Sequence, residues 1–210
     1  MKNIIIITII ITILSTIVII IQYFDLFRYY KLRREEISRY IEKYSDVKPY
    51  KSKKSIIVSL NTTPDRIGKI KPVLNSLLDQ SIRVNKIIVN VYSKSSEPYE
   101  LPENYKKVGI FNNIKKDYKE KPNLSILNNE GESETKIIFL SDKTVYGEDF
   151  IETLIDESDN NPDSIIHTKE NSEIDVLIKP KFFTVENLEK EEFPNVKKTK
   201  ISYMFNFPVL

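Results

Sequence analysis

The chain has no cysteine. Disulfides, thiolate nucleophiles and cysteine-ligated metals are therefore excluded, and the redox compartment is left unmarked. It has one histidine, His167, so no site with several histidine ligands can form within one chain. Only four glycines occur in 210 residues. They are scattered, and no glycine-rich phosphate loop can be built from them. A charge excess is missing as well: 32 basic against 30 acidic residues leave a formal charge of +2. Phosphate-backbone binders concentrate basic residues on one face, so no nucleic-acid partner is expected.

The N-terminus, by contrast, holds a long run without charge. Ile4 to Ile21 is mostly isoleucine, and through Phe24 the run reaches ~20 residues, enough for a hydrocarbon core of ~30 Å. A cleaved signal peptide would have a shorter apolar run followed by small residues, and neither is seen. The aromatic residues Tyr23, Phe24, Phe27, Tyr29 and Tyr30 suit a membrane interface. Thr8, Thr12 and Thr16 share one helix face. They suit either a helix–helix contact or, as preferred here, hydroxyls bonded back to their own helix. Lys2 and the α-amino group precede the run, while Arg28, Lys31, Arg33 and Arg34 follow it. The positive-inside rule then places the following domain on the cytosolic side.

Three segments are read from the pattern. Residues 1–24 are a transmembrane anchor. Residues 25–54 are a juxtamembrane helix, from Asp25 to about Tyr44, and a linker containing Pro49 and four lysines. Residues 55–210 are one α/β domain. Within it, Ile56–Leu60, Lys86–Tyr92, Val108–Phe111, Lys136–Leu140, Ile165–Ile166 and Val176–Ile178 read as strands, with Ile201–Phe207 as a last one. Lys69–Gln80 and Glu148–Glu157 read as helices of apolar stripe. Strands interleaved with helices imply a mostly parallel sheet with flanking helices. Ligands of such sheets sit beyond the carboxyl ends of the strands. That singles out the loops Asn61–Arg66 and Ser141–Tyr146.

These loops carry a resemblance. The run Ile57-Val58-Ser59-Leu60-Asn61-Thr62-Thr63-Pro64-Asp65-Arg66-Ile67 resembles the opening strand and loop of a family of GT-A-fold glycosyltransferases. Pro72–Ser81 resembles the helix that follows, and Lys86–Val91 the second strand. Asp117-Tyr118 falls where the family often has Asp-Tyr-Gly-Pro. Phe139–Tyr146 resembles the strand end and loop of its acidic metal motif, with Tyr146 fixing the register. The resemblance covers roughly Ile56 to Phe183. It implies a GT-A-like (Rossmann-like) fold, a nucleotide-sugar donor and, usually, a divalent cation. A metal held by carboxylates would offset the charge of the departing diphosphate.

In that register the acidic triplet falls on Ser141, Asp142 and Lys143. Only the middle acid remains, and an ammonium at Lys143 repels a cation at close range. A divalent metal is therefore not expected. Either the site is inert and Lys143 is a solvated loop residue, or Lys143 stands in for the metal and pairs with the diphosphate. Asn61, Thr62, Thr63, Asp65, Arg66, Asp142 and Lys143 are the candidate donor-binding residues. Asp65 suits a ribose or base contact and Arg66 a phosphate; the plainer alternatives are a helix cap and a surface charge.

No catalytic base is identified. Glu186, Glu189, Glu191 and Glu192 lie in a charged stretch that reads as solvated. His167, at a strand end, reads as structural. The sequence thus points to a membrane-anchored, glycosyltransferase-like protein with impaired chemistry, or to a non-enzymatic membrane-tethered protein that keeps the scaffold. Similarity to stalked glycosyltransferases implies a lumenal domain, against the basic flank. Asn61-Thr62-Thr63 and Asn123-Leu124-Ser125 match a glycosylation sequon, which matters only on that side. Donor, acceptor and oligomeric state are not legible.

Overall fold

The computed structural model describes residues 2–50, 55–93, 111–117, 135–167, 176–178 and 196–198. The strand read at Ile201–Phe207, the glutamates of 186–192, Tyr118 and Asn123 lie outside these residues. Ile56–Thr62 forms strand β1 and is buried on both faces apart from half-buried Asn61. A strand with sheet neighbours on both sides and layers above and below must read this way. It pairs in parallel with β2 (Lys86–Ser93) on one side and β4 (Lys136–Ser141) on the other. β3 (Phe111–Asp117) adds to β2, also in parallel.

Three short strands complete the sheet: β5 (Ile165–His167), β6 (Val176–Ile178) and β7 (Val196–Lys198). The order is β3-β2-β1-β4-β6-β5-β7. β6 runs antiparallel to both of its neighbours, while β5 and β7 pair in parallel. This is the GT-A-like, mostly parallel α/β architecture that the sequence implies. The third strand differs from expectation. It spans Phe111–Asp117 rather than Val108–Phe111, and Val108–Ile110 lie outside the described residues.

Helix α3 (Lys71–Leu78) connects β1 to β2, with Pro72 in its first turn, where a missing N–H costs nothing. Every residue from Pro72 to Leu78 is buried. One side meets the sheet. The other is covered by two helices that lie before residue 55 in sequence. Helix α1 (Lys2–Arg34) carries the apolar run, and α2 (Ile37–Asp46) follows after a break at Glu35–Glu36. The expected single helix from Asp25 to Tyr44 is therefore two, folded as a hairpin against α3. No glycine or proline marks the break. It is made by tertiary contacts: the Asn75 amide donates to the carbonyls of Leu32 (2.7 Å) and Glu35 (3.2 Å). Those are carbonyls that a helix end leaves unsatisfied. Arg39 then pairs with Glu35 and Lys71 with Glu36.

The hairpin is not a free stalk. Tyr29, Leu32, Ile37, Tyr40 and Tyr44 join the core shared by α3 and the sheet. Ile37, Tyr40 and Tyr44 form the apolar stripe of α2, at helical spacing. Asp79, whose side chain is 10% exposed, clasps both helices. Its Oδ2 accepts from Arg28 Nε at 2.9 Å and its Oδ1 from Lys43 Nζ at 2.5 Å. Arg28 Nη1 also donates to the carbonyl of Tyr146. Beyond α2, Lys48 and Tyr50 exchange backbone hydrogen bonds with Arg83. Helix α4 (Phe150–Asn160) follows β4 and joins the same core. In the apolar run of α1, Thr8, Thr12 and Thr16 each donate to the carbonyl four residues earlier, which is the preferred reading of that face.

Burial raises the phenols of this hairpin. Tyr44 is pushed up to about 12, burial outweighing the Val84 N–H and Arg83 that favour the phenolate. Tyr40 is raised by burial and then by Glu35 and Asp79. A phenol raised above its unfolded value of about 10 stabilises the fold fully below that pH and loses the contribution as pH rises through its folded value. Stability should therefore fall between about pH 10 and 12. Following phenolate absorbance and helical dichroism together should show the last tyrosines ionising with the loss of helix. Early, non-cooperative ionisation of Tyr44 would contradict this burial.

Candidate functional site

From β1 the chain moves outward to β2 and β3, then returns to the opposite side of β1 for β4. The order reverses between β1 and β4, so a crevice opens beyond their carboxyl ends. Both loops singled out from the sequence leave there, side by side, because Asn61 and Ser141 are register partners.

The first loop is a run of turns over 64–69 with Pro64 in second position, where its fixed φ suits a turn. The backbone N–H groups of Arg66 and Ile67 both donate to the Thr63 carbonyl at 3.0 Å. Ile67 and Ile70 are buried and pin the loop to the core. Between them and Thr63, the Arg66 side chain turns back across the crevice. The second loop is set by Tyr146, which is fully buried. Its hydroxyl accepts from the Ser141 N–H (2.8 Å) and donates to the Ser141 carbonyl (3.0 Å). Its own N–H donates to Ser76 on α3. This strut holds Asp142 at the strand end.

Asp142, Thr62 and Arg66 meet. Oδ2 of Asp142 accepts from Thr62 Oγ1 at 2.8 Å and from Arg66 Nε at 2.7 Å. Arg66 Nη2 also reaches the Asp142 carbonyl at 3.4 Å. The Asp142 side chain is 8% exposed and that of Arg66 24%. Arg66 is thus no plain surface charge. Its guanidinium is aimed by a nearly buried carboxylate, and Nη1 has no acceptor among the described residues. Lys143 sits next to Asp142 at the rim, exposed, with its backbone N–H on Ser141 Oγ. Asp65 does not cap a helix, since α3 begins only at Lys71 after Ile70. It is exposed, and the hydrogen bond from Thr63 holds its carboxyl below the usual range.

Asn61 is not part of this cluster. Successive strand residues face opposite sides of a sheet, and Asn61 lies on the far face from Thr62. There its Oδ1 accepts from Asn90 Nδ2, which also donates to Ser59 Oγ, both at 2.9 Å. This ladder on β1 and β2 was missed by the sequence reading. Its signal was a lone asparagine within the apolar run Lys86–Tyr92. Asp117 ends β3 and pairs with Ser93, two strands from Thr62. His167 ends β5, paired with Val176 and Lys198.

A divalent cation does not fit this arrangement. The crevice offers one carboxylate from the expected triplet, and its Oδ2 is already shared by a guanidinium and a hydroxyl. Among the described residues no group of three or more His, Cys, Asp and Glu side chains converges.

No protein-family model matches the chain. No curated protein matches it either. A solved 4-diphosphocytidyl-2C-methyl-D-erythritol synthase is similar in structure, with a TM-score of 0.51 at 11% identity. The match spans 75% of this chain and 94% of that one. At that identity the likeness shows the fold alone, a Rossmann-like α/β domain. One helix, Asn3–Arg34, is long and apolar enough to cross a membrane.

Proposed function

We propose that this chain is a membrane-anchored, glycosyltransferase-like protein that binds the diphosphate of a nucleotide sugar at the β1–β4 crevice without a metal ion. The carrying observation is the Arg66 guanidinium, aimed by Asp142 and Thr62 at the point where strand order reverses. Lys143 supplies a second cation at the rim. Two cationic side chains, Arg66 held by Asp142 and Lys143 at the exposed rim, can offset diphosphate charge where the family that the sequence resembles uses a metal, and a guanidinium suits paired phosphate oxygens. Asp65 and Thr63 lie on the same loop and would contact the ribose or base. The name of the structural neighbour contains a diphosphocytidyl group, a ligand chemistry compatible with this reading.

Transfer, if it occurs, would move the sugar from this donor to an acceptor. Asp142 is occupied by Arg66 and is not available as a base, so the catalysis proposed is weak. That same occupancy favours a second reading, a tethered interaction protein that retains the scaffold. A cytosolic domain is proposed from the basic flank, of which Lys31, Arg33 and Arg34 remain exposed.

A thermal-shift panel of nucleotide sugars, with and without manganese, separates the readings. Stabilisation by at least one donor in chelator, reduced about tenfold in apparent affinity (~1.4 kcal/mol) by Lys143→Ala, is expected. No shift with any donor would leave the interaction-protein reading in its place.

A further inference from the structure

We infer that the β1–β4 crevice faces away from the bilayer, held about 15 Å above it on a rigid helix, and takes a water-borne acceptor rather than a membrane lipid. The orientation rests on α1 crossing the membrane, as proposed above, and on its packing against α3; the acceptor class rests on the transfer proposed above.

Helix α1 runs antiparallel to α3, and its contacts fix the direction. Arg28 meets Asp79, just beyond the end of α3. Leu32 and Glu35 meet Asn75 midway. Glu36 meets Lys71 at the start of α3. Because α3 leaves the carboxyl end of β1 and delivers the chain to the amino end of β2, Lys71 marks the crevice edge of the sheet and Asp79 the opposite edge. Going backwards along α1 from Glu36 to Arg28 therefore moves away from the crevice. Everything N-terminal to Arg28 projects beyond the opposite edge.

One face of α1 changes from lipid-type surface to protein core within about two turns, while Phe27 and Tyr30 on another face stay 61% and 60% exposed. From Ile4 to Phe24 the large apolar side chains are 48–68% exposed, whereas Tyr29 is 7% exposed and Leu32 fully buried. Asp25, the first charge after Lys2, lies at the boundary. The helix is unbroken across it, and the clasp of Arg28, Lys43 and Asp79 locks it to the domain within one to two turns. No flexible stalk separates membrane from domain. At 1.5 Å per residue, Asp25–Arg34 lifts the crevice edge about 15 Å above the end of the apolar run. An ordinary tilt of about 20° changes this little. A lipid headgroup would have to leave the interface and round the domain to reach Arg66.

The chain is free of cysteine, so single-cysteine labels are unambiguous. Lys69→Cys and Ser81→Cys place a fluorophore at exposed positions on the crevice edge and the opposite edge. Gly68→Cys is a second crevice label, since a Cβ there meets nothing within 4 Å. With the full chain in vesicles containing a headgroup quencher, the Ser81 label should be quenched several-fold more than either crevice label. Equal or reversed quenching would overturn the orientation, whether or not any nucleotide binds. Incubation with radiolabelled nucleotide sugars, followed by partition between water and organic solvent, then reads the acceptor. Label transferred to water-soluble glycans or protein is expected. Label in the lipid phase, or no transfer in either phase by a chain that binds donor, would overturn the acceptor class while leaving the measured orientation standing.

Discussion

A chain beginning at Ser55 should fail to fold, while one beginning at Asp25 should give a soluble, folded domain. Composition places the domain start near Ser55, after the lysine-rich linker. The packing places indispensable residues earlier. Tyr29, Leu32, Ile37, Tyr40 and Tyr44 are each 7% exposed or less. Burial of such side chains contributes about 1.5–3 kcal/mol each, so loss of all five amounts to roughly 8–15 kcal/mol, an upper estimate. That is comparable to the whole stability of an ordinary domain, about 5–15 kcal/mol. The covered side of α3 would also become an exposed apolar patch, which favours aggregation. The chain from Asp25 keeps all of these contacts, and the clasp on Asp79, while losing only the lipid-type surface. Thermal unfolding followed by dichroism, with size-exclusion chromatography, decides between them. A cooperative melt at the same temperature from both chains would show that the hairpin contributes nothing to the core.

Arg66→Ala should be the most damaging single change at the crevice, costing about 3 kcal/mol of stability. It leaves the nearly buried Asp142 carboxylate with only the Thr62 hydroxyl, and an uncompensated buried charge costs about 3–5 kcal/mol. Partial access to water through the space vacated places the expectation at the lower end. Asp142→Asn should cost less, about 1 kcal/mol, because the amide can still accept from Thr62 and the freed guanidinium is partly solvated. In a double-mutant cycle the pair should show a coupling of about 2 kcal/mol. Denaturant unfolding of the four variants measures it. Additive effects would mean that the ion pair is not formed in solution.

The strands most legible from sequence are short, mostly apolar runs. Ile56–Leu60 and Lys136–Leu140 are buried on both faces, and Val176–Ile178 has the same apolar character in sequence. β3 does not, because Phe-Asn-Asn-Ile-Lys-Lys-Asp pairs only with β2 among the described strands and carries no apolar run. The hairpin was missed for a different reason. An amphipathic helix has the same pattern whether its stripe meets headgroups or another helix, and the break at Glu35–Glu36 depends on Asn75, some forty positions away. At the crevice, the loops were legible from strand ends and turn chemistry. That Thr62, Arg66 and Asp142 share one set of hydrogen bonds was not, since only the parallel pairing of β1 with β4 brings them together. Likewise, nothing in the local sequence separates Asn61 from Thr62, although the alternation of the strand sends them to opposite faces.

In the crevice proposed to bind a diphosphate, the cations are side chains. Calorimetric titration of the full chain with uridine or cytidine diphosphate, in excess chelator, tests this most directly. Saturable binding of one nucleotide per chain is expected, at least tenfold weaker in Lys143→Ala and little changed when manganese replaces the chelator. Absence of binding, or binding that appears only with manganese, would contradict it.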